Sequence, residues 1–226
     1  MDWGFVFTCL SVPASIYGIY ELMKKGIHKS KNANCRSVIW KNKTDWVIIV
    51  PQYTGNFRRV EDIIASEKIF NHCNSLGLHC IIQDDSQPIP TDKNLIFICG
   101  PKANKATKKM YKDFNIKFKE NNDTTVFFDA LSGCNYEPQI NINTHNLERD
   151  FGILSRSIDQ NTNRICIFCA GLHGLGTLGS ADLLTGSQLI KYIKKVESFE
   201  SIISVSAIDE FFSIGSINLI IPPRNL

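Results

Sequence analysis

The residues whose types and spacing first invite chemistry are Gly171-Leu172-His173-Gly174-Leu175-Gly176-Thr177-Leu178-Gly179-Ser180. Within them, Gly174-x-Gly176-x-x-Gly179 carries the spacing of a phosphate-binding fingerprint between a strand-like run and a helical one. Glycines let the backbone approach a ligand closely. The N–H groups and dipole at a helix start attract anionic oxygens. Thr177 and Ser180 offer hydroxyls, and His173 can serve near a phosphate as a base or a hydrogen-bond donor. The dehydrogenase form of this motif follows the first strand and is answered by an acid about 20 residues on. Here the turn comes late and no such acid follows. Two readings stay open: a general nucleotide or phosphate loop, and a tight turn that lets a helix pack closely on a sheet.

A second strand–turn–helix junction is Cys99-Gly100-Pro101-Lys102-Ala103-Asn104-Lys105-Ala106-Thr107. Asn104 is suited to cap the helix, and Lys102 and Lys105 can face an anion there. The plainer alternative is a capped helix with a solvated lysine face. The candidate ligand-binding residues are therefore Gly100, Lys102, Asn104, Gly171, His173, Gly174, Gly176, Thr177, Gly179 and Ser180. No catalytic nucleophile is nominated, because Ser-His-Asp order, HExxH, Walker A and EF-hand signatures are all missing. Asp84, Asp129 and Asp182 are the acids available to an enzyme, while Asp84-Asp85 reads most simply as a solvated pair. Cys166 and Cys169 have C-x-x-C spacing, but in a strand they point to opposite faces and no partner pair follows, so no metal site is expected and no cofactor is identified.

The elements that must position these residues alternate along the chain. Trp46–Val50, Asn94–Cys99 and Arg164–Ala170 are short continuous apolar runs, as in strands covered on both faces. Helical spacing runs from Arg58 to Leu76 and stops at Gly77, and a second helix is read over Asn104–Phe114. Further strands are read at His79–Gln83, Thr124–Phe128, Ser201–Ala207 and Ser216–Ile221. Phe151–Ser157 reads as an extra strand at an edge, and Ser180–Val196 as the helix after the glycine turn. The expectation is an α/β domain: a Rossmann-like three-layer sandwich, its sheet mostly parallel with antiparallel additions. If the strands ending at Val50, Cys99 and Ala170 are neighbours, the loops Pro51–Arg59, Gly100–Asn104 and Gly171–Ser180 converge.

The amino-terminal part reads differently. Trp3–Tyr20 carries no charge and is about long enough to span a bilayer as a helix. Positive residues follow it, as the positive-inside rule asks of a cytosolic flank. Residues 1–23 are thus expected to be a transmembrane anchor, with a signal peptide or a core helix as rivals. Residues 24–44 would be a basic juxtamembrane linker, and residues 45–226 the α/β domain. This places the chain in the inner membrane, single-pass, its carboxy-terminal domain cytosolic. The eight cysteines fit a reducing compartment, and a net charge of +3 does not mark a nucleic-acid binder.

The segments CGPKAN, DFGILSR and GLHGLGT together resemble uncharacterised prokaryotic Rossmann-like domains with G-P-x-x-N and G-x-H-G-x-G-T turns, over roughly Asp45 to Ile190. The Gly176-Thr177 turn is also similar to the nucleotide turn of SLOG and lysine-decarboxylase-like phosphoribohydrolase domains. That family places a catalytic Glu three residues beyond the Thr. This sequence has Ser180 there, and His173-Gly174 in place of paired glycines. The resemblance therefore implies ligand sensing rather than hydrolysis. The functional expectation is a membrane-tethered sensor or effector that binds a nucleotide-derived small molecule, in bacterial signalling or antiviral defence, with homo-oligomerisation allowed. The alternatives are a nucleotide glycosidic-bond hydrolase or transferase, and a structural membrane protein without a ligand.

Overall fold

The computed structural model describes residues 24, 30, 32–52, 60–121, 124–144, 146–159, 162–194, 196–208 and 214–226. The chain divides into two compact units, Met1–Asn42 and Lys43–Leu226. In the first, residues 32–38 are helical, where the sequence reading has an irregular linker. The Asn42 N–H reaches back to the Arg36 carbonyl at 3.0 Å. Lys41 and Asn42 adopt the left-handed conformation (φ 50° and 56°) that Asn tolerates at helix ends. The expected anchor, residues 1–23, lies outside the described residues. Among the described residues, no helix is long and apolar enough to cross a membrane.

The second unit is a mixed α/β fold. Its order is β1 (Asp45–Val50), α1 (Val60–Ser75), β2 (His79–Asp84), β3 (Asn94–Ile98), α2 (Lys105–Met110), β4 (Ile116–Asn121), β5 (Thr124–Asp129), β6 (Asn135–Tyr136), β7 (Gln139–Ile140), β8 (Leu147–Asp159), β9 (Arg164–Gly171), α3 (Gly174–Thr185), α4 (Ile190–Ile193), β10 (Phe199–Ala207) and β11 (Ile214–Asn225). The main sheet runs β11-β10-β8-β9-β3-β1-β2, with β7 added against β8. Strands β2, β1, β3 and β9 are mutually parallel, while β8, β10 and β11 continue the sheet antiparallel. Strands β4, β5 and β6 form a separate antiparallel sheet.

Alternation along the strands assigns residues to faces. On one face Val47, Ile49, Leu95, Phe97, Cys166 and Phe168 pack with Ala106 of α2 and with Phe114. The same face continues through Ile153, Ala170 and Ile202 against Ile116 and Phe127 of the small sheet. Phe97 stacks on Phe168 at 4.7 Å between ring centroids, and Tyr111 and Phe114 add edge contacts to it. A charge triad closes this layer. Arg224 of β11 donates to both carboxylate oxygens of buried Asp129 (2.5 and 3.0 Å) and to buried Glu200 (2.7 and 2.9 Å). The other Glu200 oxygen accepts the Asn115 and Ile116 N–H groups, so the triad ties the small sheet to β10 and β11.

The opposite face is covered by α1 and α3. Helix α1 places Glu61 and Asp62 in its first turn, where acids complement the dipole. It ends in a Schellman turn: Gly77 is left-handed (φ 69°), its N–H bonds the Asn74 carbonyl at 3.0 Å, and the Leu78 N–H bonds the Cys73 carbonyl at 3.0 Å. That turn sends the chain directly back along β2.

Several elements depart from the sequence reading; the helix read over Asn104–Phe114, for one, stops at Met110. β8 lies inside the sheet between β9 and β10, and its buried Asp150 and Arg156 find distant partners there. Fully buried Arg156, for instance, donates to the Val196 and Glu197 carbonyls (2.5 and 2.7 Å). Strand β4 falls in a stretch to which the sequence reading gives no element, since its outward lysines mask a one-sided alternation. Helix α3 begins at Gly174 rather than near Ser180 and stops at Gly186, so the glycine series lies inside the helix.

Candidate functional site

The carboxyl ends of β1, β3 and β9 are adjacent, because β3 pairs in parallel with β1 on one side and with β9 on the other. The expected convergence of loops is present for Gly100–Asn104 and Gly171–Ser180; residues 53–59 of the third loop lie outside the described residues. Between the two described loops opens a cavity of about 710 Å³. Of the ten sequence-nominated residues, Gly100, Lys102, Gly171, His173, Gly174 and Thr177 line it. Asn104, Gly176, Gly179 and Ser180 do not; each is held in the packing beneath.

The β9–α3 junction is built around Asp150, at the start of β8. Its buried carboxylate accepts the backbone N–H of His173 (3.1 and 3.2 Å), of Gly176 (2.5 Å) and of its own neighbour Phe151 (2.8 Å). The His173 and Gly176 N–H groups are two of the donors at the helix start, and an internal carboxylate already takes them. Helix and strand touch backbone to backbone: a Cβ on Gly176 would lie 2.2 Å from the Phe151 carbonyl oxygen, and one on Gly152 would lie 2.3 Å from the Gly176 oxygen. A Cβ on Gly179 would strike Val205, and one on Gly174 would strike Glu61. The hydroxyls are engaged too. Thr177 Oγ1 accepts the Gly171 N–H at 3.0 Å, and Ser180 Oγ donates to the Gly176 carbonyl at 2.9 Å. Of the two readings of this motif, close packing describes Gly176, Gly179 and Ser180. What remains on the cavity side is the exposed His173 ring with the edges of Gly171, Gly174 and Thr177.

The β3–α2 junction is held differently. Cys99 takes a left-handed backbone (φ 75°), and Thr107 Oγ1 donates to its carbonyl at 3.0 Å. Gly100 leaves room for Phe118, whose ring would sit 2.7 Å from an added Cβ. Asn104 is the expected N-cap, accepting the Thr107 N–H at 3.0 Å. Fully buried, it also donates to the Ile49 and Ile98 carbonyls (3.1 and 2.8 Å), stitching the ends of β1 and β3 together. Asp85 joins in from the end of β2, accepting the N–H of Gln52 (2.6 Å) and of Lys105 (2.5 Å). The Asp84-Asp85 pair is therefore a loop tie.

Cations gather on the cavity wall. Lys102, Lys108 and Lys119 line it with Phe118, and Asp62 and Glu120 supply the acids. Lys102 and Glu120 are both exposed and sit 3.7 Å apart, while the Lys119 ammonium lies 3.1 Å above the Phe128 ring. Asp62 is 2% exposed and comes from the first turn of α1. The acids expected for an enzyme are placed elsewhere: Asp129 binds Arg224, Asp182 pairs with Lys68, and Asp84 turns back on Ser86 and Gln87. The Arg224 guanidinium holds the Asp129 carboxyl far below the usual carboxylate range. Cys166 and Cys169 face opposite sides of β9 as their spacing requires, and burial pushes the Cys166 thiol up to about 11. Among the described residues, no group of three or more His, Cys, Asp or Glu could hold a metal ion.

Sequence reasoning missed Asp62, Phe118, Lys108 and Lys119 as wall residues and Asp150 as the internal anion. The alternation Ile116-Lys-Phe118-Lys119 was the available signal for the wall. For Asp150 only an acid opening an apolar run was visible, with nothing to say which helix it meets. No protein-family model matches the sequence, and a search of the curated proteins finds no match either.

Proposed function

We propose that residues 43–226 form a binding module for a nucleotide-sized anionic small molecule, presented at the cytosolic face of a membrane by the apolar segment Trp3–Tyr20. The observation that carries this reading is the cavity of about 710 Å³ at the carboxyl ends of β3 and β9, walled by Lys102, Lys108 and Lys119 around Phe118. Its volume falls in the range of small-molecule sites, and its position is the one where open α/β sheets gather ligands. The two covered faces of the sheet suit a Rossmann-like three-layer arrangement. Asp150 occupies the α3 donors, so the ligand's anionic groups meet lysine side chains rather than the helix start. An aromatic or apolar part would lie against Phe118.

A thermal-shift screen against nucleotides, dinucleotides, ADP-ribose derivatives and cyclic oligonucleotides tests the reading. A ligand at a hundredfold excess over its dissociation constant stabilises by about 2.7 kcal/mol. The shift is expected to vanish in Lys102→Glu and Lys108→Glu, which alter the wall without touching the core. No shift across the panel would refute the reading. A second reading, hydrolysis or transfer at a glycosidic bond, is favoured by one observation: buried Asp62 lines the cavity. Turnover of a hit, stopped by Asp62→Asn with binding retained, would select it.

A further inference from the structure

Cys73 and Cys80 are two reduced thiols brought together by the end of α1. The Schellman turn at Gly77 reverses the chain after Cys73, and Cys80 is the second residue of β2. Cys80 pairs in register with Trp46, so its side chain lies on the face that α1 covers. The Cys73 thiol hydrogen-bonds the Cys80 sulfur. That bond holds the Cys80 thiol below its ordinary value, against the burial that pushes it up. Cys73 has no exposed surface, whereas Cys80 keeps 6% and sits on the edge strand of the sheet. Both residues are buried, and Cys80 is the less completely covered of the two.

We propose that Cys73 and Cys80 form a reversible dithiol–disulfide pair, a site of oxidative modification that takes a small hydroperoxide as its oxidant. With hydrogen peroxide, the Cys80 thiolate attacks one peroxide oxygen. The O–O bond breaks, water leaves, and the sulfur becomes a sulfenic acid. The Cys73 sulfur then attacks the Cys80 sulfur; the S–S bond forms, the S–O bond breaks, and the hydroxyl departs as water with the Cys73 proton. Two thiols and one peroxide give one disulfide and two waters. The bond would staple the carboxyl end of α1 to β2, fixing the helix whose first turn supplies Asp62 to the cavity wall.

Trypsin isolates both thiols, and no other cysteine, in the peptide Ile69–Lys93. After peroxide treatment of the full-length protein, that peptide is expected to lose two hydrogens in mass and to regain them with a dithiol reductant. The oxidised protein should melt about 5 °C higher, since a short ring is closed in the unfolded chain. Cys73→Ser should stall the reaction, leaving a sulfenic acid on Cys80 that dimedone traps. If Ile69–Lys93 keeps both thiols under conditions that oxidise the exposed Cys134, the pair is not a redox site and the proposal fails. A Cys80 unlabelled by dimedone in Cys73→Ser overturns the assigned order of attack.

Discussion

The two strand-to-helix junctions flanking the cavity hold their helix starts by opposite means. At α2 the cap is local and neutral: Asn104 precedes the helix by one residue, bonds the Thr107 N–H, and uses its amide to tie β1 to β3. At α3 the cap is distant and charged: Asp150 reaches the His173 and Gly176 N–H groups from a strand more than 20 residues earlier. Asn104 leaves the β3–α2 loop free to display Lys102 to the cavity. Asp150 fills the place where a glycine-rich helix start would grip a phosphate. A glycine fingerprint thus reports close backbone approach, and an internal carboxylate can be what approaches.

The comparison breaks most sharply at Gly176. Valine there would collide with the Phe151 carbonyl, and no side chain can give way, so Gly176→Val is expected to cost more than about 4 kcal/mol and to abolish the cooperative melt seen by circular dichroism. Asp150→Ala should cost about 3 kcal/mol in urea denaturation, since it strips charge-assisted bonds from buried donors. Asn104→Ala should cost about 2 kcal/mol by the same assay, the worth of a cap plus two unsatisfied carbonyls. Equal losses at the two caps would erase the distinction between them.

Acid sharpens the same contrast. Asp129 is held below its unfolded value of about 3.9 by Arg224, so its contribution is complete above that pH and is lost as pH falls below it. Melts of the wild type should lose stability between about pH 4 and pH 2, and Asp129→Asn should flatten that part of the profile. The smallest effect on stability belongs to the wall. Lys102→Glu should change the melting free energy by under about 0.5 kcal/mol, because the residue is exposed, while removing ligand-induced stabilisation.

The sequence made three of the four parallel strands legible because each is apolar on both faces: Trp46–Val50, Asn94–Ile98 and Arg164–Ala170 could pack only inside a covered sheet. It also located the two junctions and the Asn104 cap, which depend on local chemistry. In the antiparallel half it showed β10 and β11 but set β8 at an edge rather than between β9 and β10. Strand β8 buries Asp150, Ser155 and Arg156, and such residues look like surface until their distant partners are known. Nor did it show that α3 starts at Gly174. Three glycines weaken a helix by roughly 1 kcal/mol each, and only packing against β8 and β10 compensates. The part of the wall formed by Phe118 and Lys119 was hidden because β4 is short and half solvated.

The placement of β9 has a consequence for the order in which the molecule can be made. β9 is the neighbour of β3, yet some 65 residues separate them in the chain, and the whole small sheet and β8 are synthesised in between. Until β9 emerges, β3 presents an open edge of Leu95, Ile96, Phe97 and Ile98, the most apolar strand of the sheet. Such an edge is a template for pairing with another chain, and long sequence separation slows its closure. On the ribosome, the growing polypeptide must therefore carry this exposed strand while the intervening residues are made, about a third of its synthesis, and its window of vulnerability closes only when Arg164–Gly171 arrives.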